Sequence, residues 1–174
     1  MTAEEFDPSD ALSDPALSID IAPSDDHAKI KRREKMARVY KILNDAGSVD
    51  QLILPIRGKG LWSTMYGFIA VKPDLTAIRG LAFYQHGETP GLGGEIDNPK
   101  WKAQFEGKRI FGDGGEPIIR VAKGRVQASD PKVDHSVDGL SGATITANGV
   151  TNLLRYWLGE NGFGPYFEQL RGQS

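Results

Sequence analysis

Three hydroxyl side chains lie within six residues, around the start of the most regular helical pattern of the chain. They belong to Ser141, Thr144 and Thr146. The apolar residues that follow recur at the spacing of one helix face, which predicts a helix over Thr144–Leu158 that stops at Gly159. Backbone N–H groups at a helix N-terminus are unpaired and attract phosphate, so these hydroxyls and amides together predict an anion site.

Small residues between the hydroxyls favour the same interpretation. Gly142 and Ala143 would let an anion approach the backbone closely. The alternative is ordinary N-capping of the helix by Ser or Thr, which accounts for one hydroxyl but hardly for three.

A second glycine-rich segment, Gly87–Glu95, reads GETPGLGGE and follows a predicted strand. It lacks the Lys-Ser/Thr pair of a phosphate-binding P-loop and does not open a helix as a dinucleotide-binding GxGxxG does. Two interpretations remain open from its pattern alone. It is either a backbone surface on which a flat ring can lie, or a plain long turn.

A serine hydrolase is the competing interpretation of the first segment. Gly139–Ala143 is similar to a nucleophile elbow, and His135 and Asp138 are close by. An elbow requires a strand before it and the catalytic histidine later in the chain, whereas His135 precedes Ser141. We therefore do not expect a Ser-His-Asp triad. The histidines also have no paired spacing, so we expect no zinc site.

Composition limits the chemistry further. The chain has 174 residues, 39% of them hydrophobic and 25% charged, which is enough for one domain with a real core. It has no cysteine, which excludes disulfides, thiolate metal sites, iron–sulfur clusters and a cysteine nucleophile. Any redox activity must therefore come from a bound cofactor. Its 21 glycines exceed the average share and imply frequent turns or a close neighbour of the backbone.

Charge is unevenly distributed along the chain. Residues 1–28 carry eight Asp and Glu and no Lys or Arg, which leaves the remainder at +6. The basic cluster at Lys29–Arg38 is short and interrupted by Glu34, so we interpret it as a solvated face and predict no nucleic-acid partner. No apolar run is long enough to span a bilayer, and Met1–Asp10 is too acidic for a signal peptide.

The elements that position these segments follow from local patterns. Residues 1–27 predict an acidic leader, extended or partly helical, and residues 28–174 predict one domain. Leu12, Leu17, Ile19 and Ile21 are available to hold the leader on that domain.

The fold class is α+β, a mostly antiparallel sheet with a few helices. Predicted strands lie at Ala37–Leu43, Gln51–Pro55, Met65–Val71 and Thr76–Tyr84, with shorter ones at Arg109–Phe111 and Ile118–Val121. Predicted turns and further helices are a hairpin turn at Asn44–Gly47, a helix start at Asn98-Pro99 and a last helix over Pro165–Arg171.

Ser141–Thr146 resembles the SGAT-x-T/S flavinylation motif of FMN-binding domains, whose last Thr or Ser carries FMN through a phosphoester bond. The chain from about residue 28 to 171 resembles, more narrowly, the C-subunit family of the Na⁺-translocating NADH:quinone oxidoreductase. That family has an N-terminal transmembrane helix without a counterpart here, so the chain is similar to its extracytoplasmic domain. The segments that carry this resemblance are Gly60–Tyr66, Gly87–Glu95, Asn98–Trp101, Asp138–Val150 and Trp157–Pro165.

The resemblance implies a covalent FMN on Thr146. Its phosphate would lie at the helix N-terminus, and the glycine loop would contact the isoalloxazine ring, with Thr89 and Leu92 as our choices for direct ring contacts. Trp62 and Tyr66 would pack near the ring or fill the core. The complete set of predicted cofactor-binding residues is Thr146, Ser141, Gly142, Ala143, Thr144, Glu88, Thr89, Gly91, Leu92 and Gly93.

The resemblance also implies an electron carrier without a complete catalytic site of its own. It would relay electrons toward quinone with other membrane subunits of the complex, on the periplasmic side of a bacterial inner membrane. A separate flavin transferase would attach its FMN. Two alternatives stay open: an FMN-bearing subunit of a related electron-transport complex, and a non-redox binding or assembly module whose motif is only a capped helix start.

Overall fold

A computed structural model describes residues 6–172. Its strands are β1 (Ser18–Asp20), β2 (Arg32–Glu34), β3 (Tyr40–Leu43), β4 (Val49–Lys59), β5 (Thr64–Val71), β6 (Ile78–Gln85), β7 (Arg120–Val121) and β8 (Ser136–Val137). Its α-helices are α1 (Pro8–Ser13), α2 (Pro99–Ala103), α3 (Thr144–Leu158) and α4 (Gly164–Arg171). The predicted α+β class is confirmed.

The main sheet has four antiparallel strands in the order β3-β4-β5-β6. All four correspond to predicted strands. The predicted hairpin turn between β3 and β4 is also confirmed: the Gly47 N–H donates to the Asn44 carbonyl at 2.8 Å, and Gly47 has a φ of 79°. That positive φ favours glycine. Burial alternates along β5, so one face of the sheet packs on the core and the other is more open.

Strand β4 continues four residues beyond the end predicted at Pro55. A proline within a strand is unusual because it cannot donate to a strand ladder. The structure shows why the strand continues. β3 pairs with β4 only as far as Ile53, so the next part of β4 is an edge on that side while β5 pairs with it throughout. Proline is tolerated at such an edge.

Helix α3 packs against β4 and β7 and has the bounds predicted from its apolar spacing. Two glycines allow its close approach to β4. A Cβ on Gly58 would lie 2.5 Å from the Cβ of Leu153, and a Cβ on Gly149 would overlap the carbonyl oxygen of Lys59. The packing sets the N-terminus of α3 beside the end of β4, which is where the functional residues converge.

The acidic leader packs on the domain through α1 and through the pairing of β1 with β2. Phe6 and Ala11 are buried, whereas Ile19 is 41% exposed, contrary to its expected role in holding the leader. The reason is strand alternation, because Ser18 takes the inward position of β1. The boundary after residue 27 falls between these paired strands and stays a prediction.

The two short strands predicted around residues 109–121 form only in part. Arg109 and Phe111 make isolated bridges, to Ala77 and to Pro117, and β7 covers only Arg120–Val121. A regular ladder does not form because the glycine-rich turn and a proline without an N–H lie between the two segments. β7 pairs in parallel with β8, a strand that no local pattern predicted. The last predicted helix is confirmed as α4.

Candidate functional site

The loop before α3 is fixed by the short helix α2. Asn98 caps α2 as predicted, since its side chain accepts a hydrogen bond from the Lys100 N–H at 3.0 Å. The helix then places Trp101, whose Nε1–H donates to the Asp138 carbonyl at 2.8 Å. Gln104 accepts the Asp138 N–H at 2.9 Å. The chain therefore enters α3 from a loop that is held at both backbone polar groups of Asp138.

The N-terminus of α3 has no side-chain cap. Its N-cap position is Ala143, and neither Ser141 nor Thr144 caps the helix. Gly142 just before it has a φ of 68°, a left-handed conformation that favours glycine. The interpretation of the motif as ordinary N-capping is therefore wrong, and the first-turn amides of α3 are not engaged by a capping side chain.

The three hydroxyls differ in their surroundings. Ser141 and Thr144 are exposed, whereas Thr146 is only 1% exposed. The Thr146 hydroxyl donates to Glu88 Oε2 at 2.5 Å. The structure thus brings together two residues that are 58 positions apart in the chain, one from each glycine-rich segment.

Glu88 is buried and receives hydrogen bonds from a second loop. The backbone N–H groups of Leu61, Trp62 and Ser63 donate to its two carboxylate oxygens at 3.1, 3.0 and 3.2 Å. Burial by itself disfavours the ionised carboxylate, but these bonds and the one from Thr146 outweigh it and hold the pKa of Glu88 below its ordinary value. Sequence reasoning placed Glu88 in the site but did not foresee this role for the turn that begins at Gly60.

Glycines allow the backbone to close over this pair. A Cβ on Gly60 would lie 2.5 Å from Glu88 Oε1, and a Cβ on Gly93 would lie 2.5 Å from Thr146 Oγ1. Leu92 reaches across to the other segment, since a Cβ on Gly142 would be 3.0 Å from its Cδ2. The interpretation of Gly87–Glu95 as a plain long turn is therefore insufficient: the loop covers the hydroxyl and then forms a short 3₁₀ turn that was not predicted.

Apolar side chains are exposed on the segments that form this site. Trp62 is 67% exposed and so does not fill the core. Tyr66 lies elsewhere: its ring is 6.3 Å from that of Tyr84, whereas its neighbour Met65 points the other way and is buried beside α3. The exposed apolar residues of the site are Leu61, Trp62, Leu92 and Ile145. Two further predicted residues of the glycine loop, Thr89 and Gly91, are exposed as well.

The residues of this site fit the phosphate, the ester linkage and the isoalloxazine ring of FMN. A phosphate requires N–H donors and positive potential, and the uncapped amides of α3 provide both. A phosphoester requires a hydroxyl, which Thr146 supplies in the first turn of the same helix. A flat isoalloxazine ring requires apolar contacts, and Leu92 and Ile145 are exposed beside that turn.

The residues of the competing hydrolase interpretation are not assembled. His135 Nδ1 is 2.9 Å from the carbonyl oxygen of Arg109, and Asp138 Oδ1 accepts the Val126 N–H at 2.8 Å. Both side chains are thus engaged by backbone groups, and Ser141 is exposed. Residues 6–172 contain no group of three or more His, Asp or Glu side chains suited to hold a metal ion.

Comparisons of the sequence with protein-family models and with known proteins indicate the same family. The FMN-binding domain model matches residues 60–159. The C subunit of the Na⁺-translocating NADH-quinone reductase of Yersinia pestis is 53% identical over 166 residues, which are 95% of this chain and 61% of that protein. Its Pseudomonas aeruginosa counterpart is 52% identical, over 95% of this chain and 63% of that protein. The chain thus spans about three-fifths of the length of these relatives.

A solved structure extends the comparison to the fold. The crystal structure of Shewanella oneidensis NqrC superimposes with a TM-score of 0.89 at 41% identity, covering 97% of this chain and 75% of that one. Among the helices of residues 6–172, none has the length and apolar character needed to cross a bilayer. The chain belongs to the FMN-binding domain family and, within it, to the NqrC proteins.

Proposed function

We propose that this chain carries FMN in phosphoester linkage to Thr146 and acts as an electron carrier of a Na⁺-translocating NADH-quinone reductase. The observation that carries the proposal is the position of the Thr146 hydroxyl. It lies in the first turn of an uncapped helix and under a glycine-rich loop, where a phosphate and a flat ring would each have suitable neighbours.

The predicted site residues divide between the two ends of the cofactor. Gly142, Ala143 and Thr144 would surround the phosphate, with Ser141 as a further hydroxyl donor. Thr89, Gly91, Leu92 and Gly93 would contact the ring. When bound, FMN supplies reversible electron transfer, and the protein sets its exposure, its potential and its distance to the next redox centre.

The remaining parts of the proposal concern the assembly. Other membrane subunits of the reductase would deliver and remove electrons, and the domain would lie on the periplasmic side of a bacterial inner membrane. A separate flavin transferase would attach the FMN. The similarity to NqrC proteins over nearly the whole chain supports these assignments over a related electron-transport complex.

Covalent attachment is tested by co-expression with a flavin transferase. The denatured wild-type protein should show flavin fluorescence on a gel, and mass spectrometry should find FMN on the peptide that contains Thr146. Thr146→Ala should lose both signals while its circular dichroism is unchanged. Thr76→Ala is the matched control, since this exposed threonine lies near the opposite end of β6 from the glycine loop. Flavin that survives in Thr146→Ala would overturn the assignment.

Electron transfer is tested separately. The flavin-loaded chain is mixed with reductase prepared without its own NqrC, NADH is added, and bleaching of the protein-bound flavin is followed by stopped flow. We expect bleaching that depends on NADH and on the reductase. A loaded flavin that stays oxidised under these conditions would contradict the proposed role and favour a non-redox binding or assembly module.

A further inference from the structure

Exposure does not explain why Thr146 would be the attachment point. Ser141 and Thr144 present exposed hydroxyls within five residues of it, whereas the Thr146 hydroxyl is covered by Gly93. If access alone decided where FMN is attached, the exposed hydroxyls would be favoured. A chemical difference among the three hydroxyls must therefore outweigh their difference in access.

The structure contains such a difference. The Thr146 hydroxyl donates to a carboxylate at 2.5 Å, and within residues 6–172 no carboxylate hydrogen bond is described for Ser141 or Thr144. A hydroxyl is a weak nucleophile until a base removes its proton, and a nucleophile and its base are recognised by this contact. Burial opposes ionisation of Glu88, but the hydrogen bonds from Thr146 and from the N–H groups of Leu61–Ser63 outweigh it and keep its pKa below the ordinary value, so the carboxylate beside Thr146 is ionised before the step.

We propose that Glu88 accepts the proton of Thr146 during flavin transfer and thereby selects this hydroxyl among the three. This inference rests on the proposed attachment at Thr146. In the step, Thr146 Oγ1 forms a bond to the FMN-side phosphorus of FAD, the bond from that phosphorus to the bridging anhydride oxygen breaks, and AMP leaves. The Thr146 O–H bond breaks at the same time, and its proton goes to the Glu88 carboxylate.

The charges along this step are favourable. Before it, the negative charge of Glu88 is shared with three backbone N–H donors. The FMN-side phosphate is anionic both in FAD and in the product, where it is bonded to the oxygen of Thr146. Because Glu88 is neutral when that bond forms, two anions do not lie side by side at that moment, and the N-terminus of α3 stabilises the phosphodiester.

The covering loop is compatible with this role. FAD can reach the hydroxyl only after Leu92 and Gly93 move aside, because they lie over the α3 N-terminus. The carboxylate of Glu88 is held mainly by the amides of Leu61–Ser63, which belong to a different loop. The cover can therefore open while the proton acceptor stays beside Thr146.

The experiment measures transfer in vitro with purified flavin transferase, FAD and Mg²⁺. Acceptor proteins made without the transferase are incubated with it, and the gain of FMN is followed by intact mass. Glu88→Gln keeps the size of the side chain but removes the proton acceptor, so we expect kcat for the acceptor to fall by roughly 100-fold or more. KM for the acceptor should change little, because the surface that the transferase meets is kept.

Two further variants separate chemistry from folding. Glu95→Gln is the matched control on the same loop. Among the described residues, the Glu95 carboxylate accepts a side-chain hydrogen bond only from Asn98. The rate at which this variant gains FMN should be within about twofold of wild type. Glu88→Asp restores a carboxylate and should recover part of the rate lost in Glu88→Gln. Thermal midpoints and circular dichroism of the unloaded proteins show whether each variant is folded.

The outcomes distinguish this inference from the proposed function. Wild-type protein that gains no FMN, or gains it away from Thr146, would overturn the proposed attachment itself. Wild-type loading at Thr146 together with equal kcat in Glu88→Gln would overturn only the role of Glu88. A folded Glu88→Asp that is no faster than Glu88→Gln would also overturn it, because the loss would then come from the loop and not from the missing proton acceptor.

Discussion

Gly93 lies directly over the hydroxyl of Thr146. A Cβ on Gly93 would be 2.5 Å from Thr146 Oγ1 and 2.9 Å from Glu88 Oε2. Real Cβ atoms essentially never approach that closely, so any side chain at this position must displace the loop, the hydroxyl or the carboxylate. The absence of a side chain at Gly93 is thus a requirement of the contact between the two glycine-rich segments.

Gly93→Ala should destabilise the protein by about 2 kcal/mol, the cost of forcing extra volume into a packed site. The fall in free energy of unfolding is measured by urea denaturation. Gly80→Ala is the control, since a Cβ there meets nothing within 4 Å, and it should be neutral. Equal stability of Gly93→Ala and wild type would show that the loop does not hold the hydroxyl in solution.

Glu88→Gln should lower stability by about 2 kcal/mol at pH 7, because hydrogen bonds to a charged group are lost and an amide N–H₂ is forced against backbone N–H donors. The pKa of Glu88 is lower in the folded than in the unfolded protein. The contribution of ionised Glu88 to the free energy of unfolding is therefore fully present above its ordinary pKa of 4.5. It is lost as the pH falls through the pKa of Glu88 in the folded protein.

The check is urea denaturation of both proteins from pH 7 down to about pH 3, with Glu106→Gln as an exposed control. The difference in stability between wild type and Glu88→Gln should narrow below pH 4.5. A difference that is constant across the whole range would mean that the carboxylate carries no special hydrogen bonds in the folded protein.

Glu34→Gln should cost about 3 kcal/mol, because it leaves a buried guanidinium without its counter-charge. Arg57 is paired with Glu34 at 2.8 Å, and its guanidinium carbon lies 5.4 Å from the ring centre of Trp157. The unfolding free energy is again the measurement. Asp20→Asn, which breaks the exposed pair with Arg32, should leave the denaturation midpoint unchanged. If both variants behave alike, the buried pair does not hold β2 to β4.

Gly149→Ala should destabilise the protein by about 2 kcal/mol, although alanine favours an isolated helix over glycine by about 1 kcal/mol. The added methyl would overlap the carbonyl oxygen of Lys59 and push α3 away from β4. Thermal denaturation compares it with Asn148→Ala, an exposed neighbour on the same helix that should be neutral or slightly stabilising. A stabilised Gly149→Ala would contradict the close packing described for this helix.

Local patterns determined much of the fold. The bounds of α3, the hairpin turn that ends at Gly47 and the Asn98 cap of α2 all followed from residues within one turn or one strand of each other. The predictions succeeded there because helix periodicity, turn conformation and capping are short-range properties of the chain. The motif at Ser141–Thr146 was likewise visible as hydroxyls before a helix.

Other features depended on which elements became neighbours. No local pattern indicated that β7 pairs with β8, that β4 continues past Pro55, or that Tyr66 lies on the sheet face opposite α3. Pro55 is tolerated within β4 because the missing N–H of a proline matters only where a partner strand would accept it. That condition is set by how far β3 extends along β4.

The functional site shows the same division. The sequence by itself determined that a hydroxyl at the start of a helix is suited to an anion, and its resemblance to FMN-binding domains indicated that the second glycine-rich segment also belongs to the site. Only the tertiary structure decided that Thr146 is the hydroxyl paired with Glu88, and that the turn at Leu61–Ser63 holds the carboxylate. The physical reason is that a buried hydrogen bond between distant residues requires the sheet and helix to pack first, and no spacing along the chain encodes that contact.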